Sequence, residues 1–175
     1  MAQLLEKLKS RIPSLLRNFD ATRISLHKYE KWNGGDSFVS REIYCNCGSN
    51  DFFLKCRRIK KITGLIFKKE ITENKSPIYA ICNECKSTNL VFDELRHGWN
   101  AANTNNQALS VTDSLESIFD KPVSLVVNYS YQSIENYEDL IESGCKNPED
   151  YFDTFTIYAI EGGSKSICIA SFECA

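Results

Sequence analysis

Near the start of the chain, Leu4, Leu5, Leu8, Ile12, Leu15, Leu16 and Phe19 recur at spacings of one, three and four, which predicts one apolar stripe of a helix. Pro13 interrupts the stripe, so the pattern predicts two short helices that pack on the protein's own core. Residues 23–29 then alternate in character. Trp32-Asn-Gly-Gly-Asp36 supplies turn residues, and 37–44 is a second extended run, together a β-hairpin. Short strands are expected at 51–56, 64–71, 78–82 and 89–92, followed by a polar loop at 100–106.

Val123, Leu125, Val127, Tyr129 and Tyr131 keep a strict period of two and predict a strand with one inward face. In 133–143, Ile134, Tyr137, Leu140 and Ile141 fall at helical spacing and should turn inward, with Gly144 ending the helix. Residues 154–160 and 166–174 flank Glu161-Gly-Gly-Ser-Lys165 as a terminal hairpin. The fold class expected is α+β: an N-terminal helix, a β-rich zinc-ribbon module and a C-terminal strand-helix-hairpin. The expected segments are 1–42 (helix and hairpin), 43–100 (ribbon module) and 113–175 (acidic α+β part, able to pack as one domain with the rest).

At 175 residues, 42% hydrophobic and 25% charged, the chain can bury a sizeable core. Glu6, Lys7, Lys9 and Arg11 break up the first apolar residues, so no export signal is read there, and no run is long enough to span a bilayer. Eight cysteines without an export signal fit a reducing cytoplasm better than a disulfide scaffold.

Four of those cysteines form two tight clusters, Cys45-Asn-Cys47-Gly48 and Cys82-Asn-Glu-Cys85-Lys86. Short loops of this kind turn paired thiolates into one tetrahedron and leave backbone amides free for the sulfurs, the chemistry of a closed structural Zn2+ site. Residues 45–53 and 82–91 match in order apart from one residue missing in the first pair, so the clusters read as two related β-knuckles. Cys56 is the reserve ligand. A redox pair fits less well, because Cys82 lies between two expected strands and does not open a helix. Cys145, Cys168 and Cys174 lack paired spacing. Cys168 and Cys174 stand an even number apart and are expected on one face of their strand.

The order C-x-C-G, a basic and apolar stretch, C-x-x-C, then Leu90-Val-Phe-Asp93 and Arg96-His97-Gly98-Trp99 resembles a loosely defined family of uncharacterised bacterial zinc-ribbon proteins. Trp99 and Asn100 stand where that pattern has a tyrosine and an aspartate. The resemblance covers about residues 42–101 and implies a small accessory or immunity-type protein; it implies no reaction.

Only His27 and His97 are available as bases at neutral pH, and no nucleophile motif or phosphate loop accompanies them, so no enzymatic activity is expected. His97 is read as a turn residue bonded to backbone. The net charge of -2 hides a strong asymmetry: residues 55–75 hold eight basic residues against two acidic, a local +6, and 113–175 hold twelve acidic against three basic, a local -9. The acidic part, with Glu135, Glu138, Asp139, Glu142, Glu149, Asp150 and Asp153, is expected to dock a basic protein such as a toxin, as an immunity or inhibitor protein would. The alternative is nucleic-acid binding through Arg57, Arg58, Lys60 and Lys61, which ranks second because the acidic half opposes a polyanion.

Overall fold

The computed structural model describes residues 7–8, 10–25, 38–63, 69–99, 115–131, 134–161 and 165–174. In chain order it contains β1 (Phe38–Ile43), β2 (Phe52–Thr63), β3 (Lys69–Cys82), β4 (Thr88–Phe92), β5 (Glu116–Ser117), β6 (Ser124–Ser130), helix α1 (Ile134–Glu142), β7 (Thr154–Glu161) and β8 (Lys165–Glu173). Single 3-10 turns lie at Ser14–Leu16 and Pro148–Asp150. The strands form two four-stranded antiparallel sheets, ordered β1-β6-β7-β8 and β4-β3-β2-β5. This is a β-rich α+β arrangement resembling a zinc ribbon set against a strand-helix-hairpin sheet. No described helix is long and apolar enough to cross a membrane.

The two sheets meet across one core. Phe92 of β4 stacks on Phe155 of β7 and Phe172 of β8, at centroid distances of 4.8 and 4.4 Å. Phe52 opens β2 with a bridge to Val123, their backbones exchanging two bonds of 2.9 Å. Residues from all three expected segments, Leu16, Phe52 and Phe155 among them, enter the same apolar cluster. Along β6 and the residue on either side of it, the five alternating residues from Val123 to Tyr131 are all buried, as their period of two predicts. Val126 is buried as well, so this interior strand is covered on both faces there.

At the N-terminus, the helical turn at 7–10 stops before Pro13, and the chain resumes as the 3-10 turn. Leu8, Leu15, Leu16 and Phe19 are buried in the shared core. Asp20 and Ile24 bridge to Tyr44 and Arg41 of the β1 segment, so the first part of the expected hairpin does lie beside β1. Its turn at 32–36 and the polar loop at 100–106 lie outside the described residues.

Three expectations are corrected. The strands expected at 51–56, 64–71 and 78–82 are two long ones, of 12 and 14 residues, paired from Phe52↔Cys82 to Thr63↔Lys69. The register jumps between Cys56↔Ile78 and Arg57↔Lys75, so Pro77, which has no N–H to give, sits in a bulge and does not end the strand. Cys168 and Cys174 do not share a face. A second bulge passes from Ile157↔Ala170 to Tyr158↔Cys168 and skips Ile169, which reverses the alternation: Cys168 is exposed and Cys174 buried. Ile141 does not turn inward and is 42% exposed. Tyr137 meets Trp99 and Tyr131 at 6.0 and 5.1 Å, but Ile141 lies one turn beyond it, where Gly144 (φ +84°) turns the chain away.

Candidate metal centre

The two cysteine loops are built alike. In the first, the Cys45 amide donates to the Ser49 carbonyl (2.7 Å) and the Gly48 amide to the Cys45 carbonyl (2.8 Å). In the second, the Cys82 amide donates to the Ser87 carbonyl (2.9 Å) and the Lys86 amide to the Cys82 carbonyl (3.1 Å). The residue after the second cysteine is left-handed in both, Gly48 at φ +91° and Lys86 at φ +61°. Lys86 tolerates this conformation while its ammonium donates to the Asn83 carbonyl. The missing residue therefore shortens the first knuckle without changing its plan. The Asn83 amide donates to the Asp51 carbonyl (2.8 Å) and holds one knuckle to the strand end that follows the other.

This pairing gathers the sulfurs. Cys45, Cys47, Cys82 and Cys85 offer Sγ atoms that all lie within 4.8 Å of one another, with Cys45–Cys85 at 3.4 Å and Cys47–Cys82 at 3.6 Å. A tetrahedron with bonds of about 2.3 Å to sulfur has edges of about 3.8 Å, so the donor set fits a four-coordinate metal ion. Cys45 and Cys82 are buried and form the floor; Cys47 and Cys85 are exposed and form the rim. Among the described residues no other cysteine or histidine joins the group.

Electrostatics point the same way. The Ser87 hydroxyl, and next its amide, donate to the Cys85 sulfur and bring its thiol down to about 6. Burial opposes the Cys82 thiolate, but the amides of Cys85 and Glu84 outweigh it and lower that thiol too. At Cys47 the Ser49 amide favours the thiolate, yet the Cys45 sulfur, desolvation and the remaining sulfurs push the thiol up to about 11. Four sulfurs this close cannot all carry charge unless a cation is shared among them. Ser87 is the contributor that residue spacing alone missed. Its Oγ lies 3.1 Å from Cys85 Sγ and 3.4 Å from Cys45 Sγ, bridging the two knuckles, and it aligns with Ser49 in the repeat, where a signal for it existed.

Cys56, the reserve ligand, is not in the cluster; its thiol is buried in β2 against Asn74 Oδ1 at 3.5 Å. His97 is the turn residue expected. Its Nδ1 accepts the Asp93 amide (3.0 Å), and burial takes its pKa down to about 4. His27 lies outside the described residues.

The acidic set divides. Glu138, Asp139 and Glu142 are exposed on α1, and the Glu135 side chain is outside what the structure describes. Glu149 is not on the surface: its carboxylate is 7% exposed and lies between Arg11 (3.1 Å) and Arg17 (3.4 Å). Asp153 is buried as well, its carbonyl accepting the Cys174 amide (2.5 Å), and Asp150 accepts the Ser14 amide (2.5 Å). These residues fasten the N-terminal segment and the last strand to the body, which leaves Glu138, Asp139 and Glu142 as the members of the set that are exposed among the described side chains. Of the basic set, Arg58 is exposed and Arg57 half-buried on β2; the side chains of Lys60 and Lys61 are not among those described. No protein-family model, no curated protein and no solved structure matches this chain.

Proposed function

We propose that this protein is a non-enzymatic, zinc-stabilised binding protein that acts by protein–protein contact, in the manner of a bacterial immunity protein that masks a basic toxin. The four-sulfur cluster carries the first half of this reading. A zinc ion bound by four thiolates keeps no position for water or substrate, so its contribution is to hold the two knuckles together. The exposed Ile141 with Glu138 one turn before it, and the exposed Asp139 and Glu142 on the same helix, support the second half. An exposed apolar residue beside a carboxylate, on a short helix that carries two more exposed carboxylates, offers a small contact with a charged surround, which speeds association with a basic partner and selects it.

The test is affinity capture from the native host with three baits: the wild type, Glu138→Gln/Asp139→Asn/Glu142→Gln, and a variant altered in β2. A basic protein held by the wild type and the β2 variant but lost by the helix variant supports the reading. One held equally by all three, or no protein held at all, removes it. Zinc is measured separately by metal analysis, and about one ion per chain is expected.

A further inference from the structure

A local charge of +5 lies on a structural feature that the residue pattern did not predict. From Arg57↔Lys75 to Thr63↔Lys69, β2 and β3 form seven pairs, and among the described residues no third strand is registered against them. The base of this arm is tied to the body by the Asn74 side-chain amide, which donates to the Ile169 carbonyl of β8 (2.9 Å). Asn74 pairs with Arg58, and beyond that tie five more pairs extend the ribbon by about 17 Å at ~3.3 Å per residue. Residues 57–75 hold seven basic residues against Glu70 and Glu73, and Glu73 is already paired with Lys75 at 3.2 Å.

Summed along the chain, the acidic half cancels these charges, but Lys60, Lys61 and Lys69 stand on rungs beyond the Asn74 tie. The arm extends about twice the ~8 Å screening length of physiological salt beyond the Asn74 tie. Repulsion of a polyanion by carboxylates near that tie is therefore largely damped at the Thr63↔Lys69 end.

We propose that the β2–β3 arm docks on duplex DNA, its lysines and arginines contacting phosphates. Charge complementarity selects a polyanion. Shape selects the duplex, because a two-stranded β-ribbon fits the ~12 Å major groove of B-DNA, and the deep, narrow major groove of A-form RNA shuts it out. This surface is separate from the helix face, so either can fail without the other.

The experiment is a fluorescence-anisotropy titration of the metal-loaded protein with a labelled mixed-sequence DNA duplex, and with single-stranded DNA and duplex RNA of equal length. Duplex DNA should bind most tightly and lose on the order of 10²–10³-fold in affinity between 50 and 200 mM salt. Arg58→Gln/Lys60→Gln/Lys61→Gln should lower the slope of log K against log salt by about 2–3. The wild-type salt slope and the single variant Lys60→Gln keep the test valid if the triple variant loses metal or stability. Absence of duplex binding at 50 mM salt overturns the proposal, as does a well-folded triple variant that binds like the wild type. Equal binding of RNA or single strands overturns the groove assignment. A salt-sensitive dimer that forms through the arm and excludes DNA would assign the arm to a second copy of this chain and overturn the proposal.

Discussion

Replacing Gly98 by alanine tests whether the Arg96–Trp99 turn is a packing joint. Gly98 is buried at φ +84°, and an added Cβ would stand 2.4 Å from Cys174 Cβ, 2.9 Å from its Sγ and 3.1 Å from the Phe152 carbonyl oxygen. Neither neighbour is a flexible tip. Phe152 O accepts the Trp99 amide (2.8 Å), and the backbone of Cys174 is bonded to Asp153 (2.5 Å). The left-handed conformation costs about 1–2 kcal/mol for a residue with a Cβ, and overpacking adds about 1–3 kcal/mol. Gly144 is the control: it has the same φ of +84° but nothing within 4 Å, so Gly144→Ala bears the conformational cost alone. At about 2–4 °C per kcal/mol for a chain of this size, Gly98→Ala should lower Tm by about 4–20 °C and Gly144→Ala by about 2–8 °C. Adding Cys174→Gly to Gly98→Ala should recover part of the difference. Differential scanning calorimetry on the three variants decides the matter; equal losses for Gly98→Ala and Gly144→Ala would refute the packing argument.

Cys82→Ser should abolish metal binding and lower Tm by more than Cys56→Ser, read by metal analysis beside thermal melts, because the metal's binding energy contributes to folding. Stripping the metal should speed amide exchange first at residues 45–49 and 82–87 and leave β6 and β7 protected, as read by hydrogen exchange. His97, held near 4 in the fold against an ordinary value of 6.5, should contribute stability in full above about pH 6.5. That contribution is lost as the pH falls toward 4, because the unfolded chain takes up the proton first, so His97→Gln should flatten the wild-type stability loss between those values. Glu149→Gln should lower Tm, at a cost of about 1–3 kcal/mol, because the group loses its charge and one of its two acceptor oxygens becomes an NH2 donor facing Arg11 or Arg17, and it should leave partner association rates unchanged.

What could be read from the chain was whatever depends on near neighbours. The two knuckles are local loops with an internal repeat, and the alternation from Val123 to Tyr131 records a strand buried on one face. Both depend on spacings of a few residues. The arm was missed because a two-stranded ribbon in water demands no apolar period, so the expected strands ended at Cys56 and resumed at 64 and 78, leaving the basic stretches between them unassigned. The bulge at Ile169 reversed the faces of Cys168 and Cys174 because one skipped residue inverts a period of two. Glu149 looked like surface charge because its partners, Arg11 and Arg17, lie 138 and 132 residues away. A carboxylate's type does not disclose whether a guanidinium will come to meet it.

The metal centre and the arm are two ends of the same pair of strands, which gives the centre a role beyond local stability. Cys82 is the last residue of β3 and pairs with Phe52, the first of β2, so the sulfur cluster stands at the first rung of the ladder whose far end is Thr63↔Lys69. Slippage of the ribbon by one residue would turn every basic side chain to the opposite face. Three features oppose slippage at the inner end: the Phe52 bridge to Val123, the bulge at Pro77, and the two knuckles once a metal joins them. The first lies within the apolar core and the second is flanked by the core residues Cys56 and Ile78, so both persist without metal. The third fixes the strand ends themselves, so metal loss should blur the register of the arm before it melts the sheets.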